Sequence, residues 1–187
     1  MKEKIDYIMG YYKTKILHVD NFRSMDKYIY KHLKGKLNGV EIGVRFGKHA
    51  IDMLYHLNIN KLFLVDPYLE YEGYPEKLFK LNLVKKFLEY AKNDKRLVLI
   101  NKKSEDAFKE IPNNLDFVYI DGNHEYPYVK KDINLYYPKV KIGGLLGGHD
   151  YSIDNLGVIK AVDEFVKHYD YKLYTNKKQS DWWIIKK

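Results

Sequence analysis

Three observations predict an α/β fold. Short apolar runs alternate with helix-like segments, a glycine-bearing loop follows the first run, and the last two runs lie too close together for a helix between them. The expected architecture is a mostly parallel sheet with helices on both faces and a C-terminal antiparallel hairpin.

Taken in order, Ile5, Ile8, Met9 and Tyr12 recur at helical spacing, as do Met25, Tyr28, Ile29 and Leu33. Residues 1–37 therefore read as an N-terminal helical segment, serving as a lid or a dimer contact, and residues 38–187 as the main domain. Asn38-Gly39 punctuates the boundary. Strands are expected at Val40–Val44, Leu62–Asp66, Leu97–Ile100, Leu115–Asp121 and Gly143–Gly148. Helices are expected at about Lys48–Leu57, Glu76–Ala91 and Tyr126–Tyr136, and over Val158–His168, where Val158, Ala161, Val162, Phe165 and Val166 share a face. Ser104 suits the N-cap of a short helix through Ala107 and Phe108. Tyr171–Tyr174 and Trp182–Ile185 form the closing hairpin. Because Trp182 and Trp183 alternate across a strand, one is expected in the core and the other at the rim.

Composition narrows the function classes. The 187 residues contain no cysteine, which excludes disulfides, thiolate metal sites and a cysteine nucleophile. No apolar run approaches the ~18 residues of a membrane span, and Met1–Asp6 leads into no signal-peptide apolar region. A cytoplasmic protein without membrane partners is expected. The formal net charge of +8 reads as a Lys-rich solvated surface, since no uninterrupted basic tract marks a nucleic-acid track. His18, His32, His56 and His168 lie outside the strand-end loops and read as surface or packing residues.

In an open parallel sheet, ligands bind beyond the carboxyl ends of the strands, where strand order reverses. Glu41-Ile42-Gly43-Val44-Arg45-Phe46-Gly47 leads from the first strand into a helix, and Asp66 ends the second strand. Glycines admit a close backbone turn, the helix start offers free amides, and an acid at the second strand end can accept ribose hydroxyls. The spacing Glu-x-Gly-x-x-x-Gly lacks the third glycine of the dinucleotide loop, so a nucleoside ligand without a diphosphate fits better.

Here the chain resembles the class I S-adenosylmethionine-dependent methyltransferases, with their Rossmann-like seven-stranded sheet and antiparallel end. The resemblance runs from about Asn38 to the C-terminus. It implies that Gly43 and Gly47 face the methionine part of the cofactor, that Asp66 binds its ribose, and that Glu41 and Asp121 also belong to the cofactor-binding set. It also implies that Pro67 and Tyr68 pack on adenine, with Ser104 and Glu105 at the adenine edge. Where many relatives carry a small residue, this chain has Arg45.

The richest stretches are Asp121-Gly122-Asn123-His124-Glu125-Tyr126 and Gly147-Gly148-His149-Asp150-Tyr151. Each follows an expected strand, so Asp121, His124, His149 and Asp150 can converge beside the cofactor. Two carboxylates with nearby imidazoles can hold a hard cation such as Mg²⁺, which lowers the pKa of a substrate hydroxyl. A histidine can instead act directly as general base. With Asp132 and the closing Asp181-Trp182-Trp183, these loops resemble the macrocin-type sugar O-methyltransferases and relatives of cephalosporin hydroxylase. That resemblance implies Asp121, His149 and Asp150 as metal candidates and Asp121, His124 and His149 as catalytic residues. Asp132 is expected to support the Asp121–His124 loop.

The function expected is O-methylation of a small hydroxylated acceptor, sugar or glycoside-like, with divalent metal assistance as an added element. Three alternatives differ in what they require. An RNA or other nucleic-acid methyltransferase would use the +8 as a phosphate track, a nicotinamide-dependent oxidoreductase would bind NAD, and a nucleoside-binding module would transfer no methyl group. A homodimer that completes the pocket is a further expectation.

Overall fold

The computed structural model describes residues 22–68, 82–176 and 178–187. The helix expected around Ile5–Tyr12, His18 and the residues 76–81 of an expected helix lie outside them. The described elements are α1 (Ser24–His32), β1 (Leu37–Ile42), α2 (Lys48–His56), β2 (Ile59–Val65), α3 (Asn82–Asn93), β3 (Leu97–Ile100), α4 (Ser104–Ala107), β4 (Leu115–Ile120), α5 (Tyr126–Tyr136), β5 (Val140–Gly148), α6 (Leu156–Tyr169), β6 (Tyr174–Asn176) and β7 (Asp181–Ile185). Short 3₁₀ turns at Phe108–Glu110 and Tyr137–Lys139 follow α4 and α5.

One seven-stranded sheet runs in the order β3-β2-β1-β4-β5-β7-β6. The first five strands are parallel, and β7 is antiparallel to both β5 and β6. The expected α/β class and closing hairpin are thus observed. Strand order reverses between β1 and β4, and there the strand ends are level. Ile42 pairs with Val65 on one side and Ile120 on the other, and Ile120 pairs with Gly148.

Two apolar layers cover the sheet. Met25, Ile29, Ile51, Met53, Phe87, Phe117 and Tyr119 pack on one face, and Val118, Val129, Ile133, Val158, Val162 and Trp182 on the other. Trp182 and Trp183 do point to opposite faces, but both are buried, at 0% and 7% exposure. The rim expected for one of them is absent because β7 is an interior strand with packed layers on both sides. Gly147 of β5 is small for a related reason: a Cβ there would lie 2.5 Å from the Met25 sulfur of α1 and 2.7 Å from the Trp183 Cβ.

Some boundaries differ from expectation. β5 begins at Val140, and β6 sits at Tyr174–Asn176, later than the apolar run Tyr171–Tyr174. Ser104 is the first residue of α4, whose N-cap position is Lys103. The Ser104 hydroxyl donates to Asp132 of α5, so it ties two helices together and caps neither.

A charged seam lies within the first layer. His49 of α2 bonds Glu41 of β1 through Nδ1 (3.0 Å) and Asp26 of α1 through Nε2 (2.8 Å). All three side chains are buried. Burial alone would lower the imidazole pKa, but the two carboxylates outweigh it against the opposing Arg23 and push it up to about 9. Burial raises the Glu41 carboxyl, against the opposing pull of His49. On the same helix as His49, Asp52 is pushed up to about 6 by burial. Sequence reading passed over His49, although an acid facing the core from a strand demands a partner.

Two expectations follow. Trp182→Ala and Trp183→Ala should each cost about 3–5 kcal/mol in urea unfolding. Because His49 titrates at about 6.5 in an unfolded chain, its contribution is complete below that pH. It is lost as pH rises through about 9, so unfolding free energy should fall over that window by on the order of 3 kcal/mol. An NMR titration should show the His49 imidazole protonated past pH 8; titration near 6.5 with a flat stability profile would contradict this.

Candidate active site

The level strand ends place four residues along one edge: Gly43 after β1, Asp66 after β2, Asp121 after β4 and His149 after β5. The main chain fastens these loops to the neighbouring strands. Gly43 N donates to Val65 O, Asp121 N to Ile42 O at 2.7 Å, and His149 N to Ile120 O at 3.1 Å.

The glycine loop turns sharply. Gly43 and Gly47 have φ of 83° and 73°, and Arg45 between them has φ of 56°, a left-handed conformation that non-glycine residues rarely adopt. Arg45 is held in this backbone by a specific bond. The Asp66 Oδ2 accepts the Val44 amide at 2.9 Å and the Arg45 amide at 2.8 Å, while Oδ1 accepts the Tyr68 amide at 2.7 Å. The buried Asp66 carboxylate is therefore the clasp between β2 and the glycine loop, with three of its roughly four lone-pair sites used. A Cβ on Gly43 would lie 2.1 Å from the Asp121 carbonyl oxygen, so contact between the β1 and β4 loops alone demands glycine there. At Gly47 the same test meets the Phe87 ring of α3.

Pro67 is half-buried and Tyr68 buried beside this clasp. Farther along the edge, Glu105 pairs with Lys131 at 3.1 Å and Ser104 is engaged by Asp132. Asp132 also lies near Gly122, yet its bond is to Ser104. Burial pushes its carboxyl up to about 6.

Beyond β4 and β5 a polar cluster gathers. His124 Nε2 lies 3.0 Å from Asp150 Oδ2 and 3.7 Å from Asp121 Oδ1. His149 Nδ1 lies 3.2 Å from the same Asp150 Oδ2, and Asn155 Nδ2 donates to Asp150 Oδ1 at 3.3 Å. Asp121, with Asp150 adding to it, holds the His124 imidazole above its usual range despite burial. Burial would raise Asp150, but His149 and His124 outweigh it and its carboxyl falls below the usual range. The helix α6 fixes this arrangement from outside, for a Cβ on Gly157 would lie 2.5 Å from the His124 carbonyl oxygen.

Donor atoms from Asp121, His124 and Asp150 all lie within 4.8 Å of one another. Two carboxylates and an imidazole at that separation suit a divalent cation, and the oxygen-rich set favours a hard one. His149 contacts the cluster through Asp150, whereas His124 itself contributes the converging nitrogen.

Sequence reading missed Arg23. It stands just before α1, and its Nη1 reaches Asp121 Oδ2 at 3.1 Å and also donates to the Tyr119 hydroxyl. Tyr119 donates in turn to Asp181 Oδ1 at 2.8 Å, and Asp181 Oδ2 accepts the Met25 amide at 3.0 Å. Burial works against the guanidinium charge, but Tyr119, Asp121 and Asp181 more than offset it. No spacing rule links position 23 to position 121, so only the fold reveals this pair.

Among the described residues, no helix is long and apolar enough to cross a membrane. The profile of a family described as a methyltransferase domain matches residues 40–151, which span β1 through the β5 loop. An uncharacterized protein, R132 of Acanthamoeba polyphaga mimivirus, is 29% identical over 154 residues, which is 80% of this chain and 66% of that protein. The chain thus spans just under two thirds of that relative's length. Among solved structures, the O-methyltransferase NovP superposes with a TM-score of 0.65 at 21% identity, covering 90% of this chain and 79% of NovP. The MycE methyltransferase of mycinamycin biosynthesis, solved with Mg and S-adenosylhomocysteine, superposes with a TM-score of 0.59 at 16% identity, over 87% of this chain and 48% of MycE. With the matched family model covering more than half of its residues, the chain belongs to the methyltransferase-domain family.

Proposed function

We propose that the protein methylates a hydroxyl of a small acceptor, sugar or glycoside-like, with His124 as the general base and a divalent cation held at Asp121 and Asp150. One observation carries this reading: the β4 and β5 loops bring His124 within 3.0 Å of Asp150 and 3.7 Å of Asp121, at the strand-order reversal and against the glycine loop.

The residues divide the work. Val44 and Arg45, pinned by Asp66, form the floor on which the cofactor's methionine part would rest. Glu41 is 1% exposed and its Oε2 has no hydrogen-bond partner among the described residues, which suits a cationic or amide donor from a bound ligand. The remaining lone-pair site of Asp66 is available to a ribose hydroxyl. Bound S-adenosylmethionine supplies a methyl group on a sulfonium, and transfer from it requires mainly in-line positioning of the acceptor oxygen. As the acceptor oxygen gained the methyl group and the sulfonium C–S bond broke to leave a neutral thioether, His124 Nε2 would take the hydroxyl proton, and Asp121 and Asp150 would stabilise the resulting imidazolium. A cation at Asp121 and Asp150 would lower the hydroxyl pKa before the proton leaves; Mg²⁺ in the similar MycE structure supports this part of the reading. His149 orients Asp150 from its other side. The N-terminal segment contributes Arg23 to this wall, which supports a role for it at the pocket.

Isothermal calorimetry with S-adenosylhomocysteine tests the cofactor assignment. Binding at tens of micromolar or tighter is expected, weakened about tenfold or more by Asp66→Ala. No binding by the wild type would overturn it. Transfer of a radiolabelled methyl group to a panel of sugars and glycosides should fall about 10²- to 10⁴-fold in His124→Ala, with S-adenosylhomocysteine affinity retained. Loss of activity with EDTA and in Asp121→Asn is expected for the metal; full activity in both would leave His124 acting alone.

A further inference from the structure

The two oxygens of Asp121 face different partners. Oδ1 turns toward His124 at 3.7 Å, while Oδ2 is held by Arg23 at 3.1 Å. The guanidinium is not a loose surface charge. Its side chain is 23% exposed, it also donates to Tyr119, and it lies over the Tyr119 ring with its carbon 5.1 Å from the ring centre. The backbone next to it is fastened too, since Asp181 accepts the Met25 amide.

This geometry has two consequences for a cation held at Asp121 and Asp150, with His124 left free as the base. With Oδ2 held by the guanidinium, chelation through both oxygens would have to share or break that bond, so Asp121 offers chiefly Oδ1. A fixed positive charge also stands on the far side of the same carboxylate, and partial burial limits the screening that water provides. We propose that Arg23 is a positioning residue that makes Asp121 a one-oxygen ligand and holds down the affinity of the site for divalent cations. The inference rests on the metal reading of the site given above. The cation is then an exchangeable partner of the reaction and not a structural ion.

The test uses the full chain and Mn²⁺ as the probe, with free Mn²⁺ measured by electron paramagnetic resonance. Arg23→Gln should bind Mn²⁺ about tenfold or more tighter than the wild type. Arg23→Lys keeps the charge and should stay within about threefold of the wild type. Calorimetry with S-adenosylhomocysteine and a thermal melt confirm that each variant keeps its fold and pocket. Binding by Arg23→Gln alone, with the wild type silent, also supports the proposal. Equal affinity in the wild type and Arg23→Gln, weaker binding by Arg23→Gln, or equal tightening in Arg23→Lys would each overturn it while leaving the metal reading in place. No Mn²⁺ binding by the wild type or either variant at millimolar concentration would instead overturn the metal reading, and this inference with it. Should Arg23→Gln fail to fold, the wild type decides. The Arg23 Nε–H resonance should shift on Mg²⁺ addition; a resonance that stays put while Mn²⁺ binds would overturn the proposal.

Discussion

Four parallel strands that end at the same level organise the rest of the structure. Val65, Ile42, Ile120 and Gly148 stand in register across β2, β1, β4 and β5, so the next residue of each strand emerges on one edge. Because side chains alternate along a strand, a slip of one residue in any of these pairs would turn that strand's core residues to the other face. The apolar packing on both faces therefore fixes the height at which Asp66, Asp121 and His149 leave the sheet. Chemistry at the edge is inherited from packing in the layers below it.

Buried charge is the second constraint, and it binds the N-terminal helix to the sheet. Asp26 and Met25 of α1 reach His49 and Asp181, and Arg23 reaches Tyr119 and Asp121. A buried ion pair earns its place only when both partners are present, since one left alone is a buried unpaired charge. Displacing α1 would strand Asp181, Glu41–His49 and Asp121 together. Stability of the first helix and the geometry of the candidate site are thus two expressions of one network.

The strand-end acids differ in what their surroundings let them do. Asp66 spends its oxygens on backbone amides and shapes the glycine loop. Asp150 sits between two histidines and an amide, while Asp121 is divided between a guanidinium and the open side of the cluster. Only the last two point a carboxylate oxygen toward a shared space, together with His124.

What the sequence by itself determined is local and periodic. Alternating apolar runs and helical faces specified the α/β class, the order of elements and the closing hairpin. The glycine spacing and the two acid–histidine stretches marked loops that the fold brings to one edge. These features are legible because each depends on neighbours within a few residues. Tertiary structure decided everything that depends on residues far apart in the chain: that both Trp182 and Trp183 are buried, that Ser104 serves Asp132 instead of a helix end, that Asp66 clasps the glycine loop, and that His49 lies between Asp26 and Glu41. The pairing of Arg23 with Asp121, 98 positions apart, belongs to the same class. A buried charge must be satisfied by whatever the fold brings to it, and no periodicity along the chain records which residue that will be.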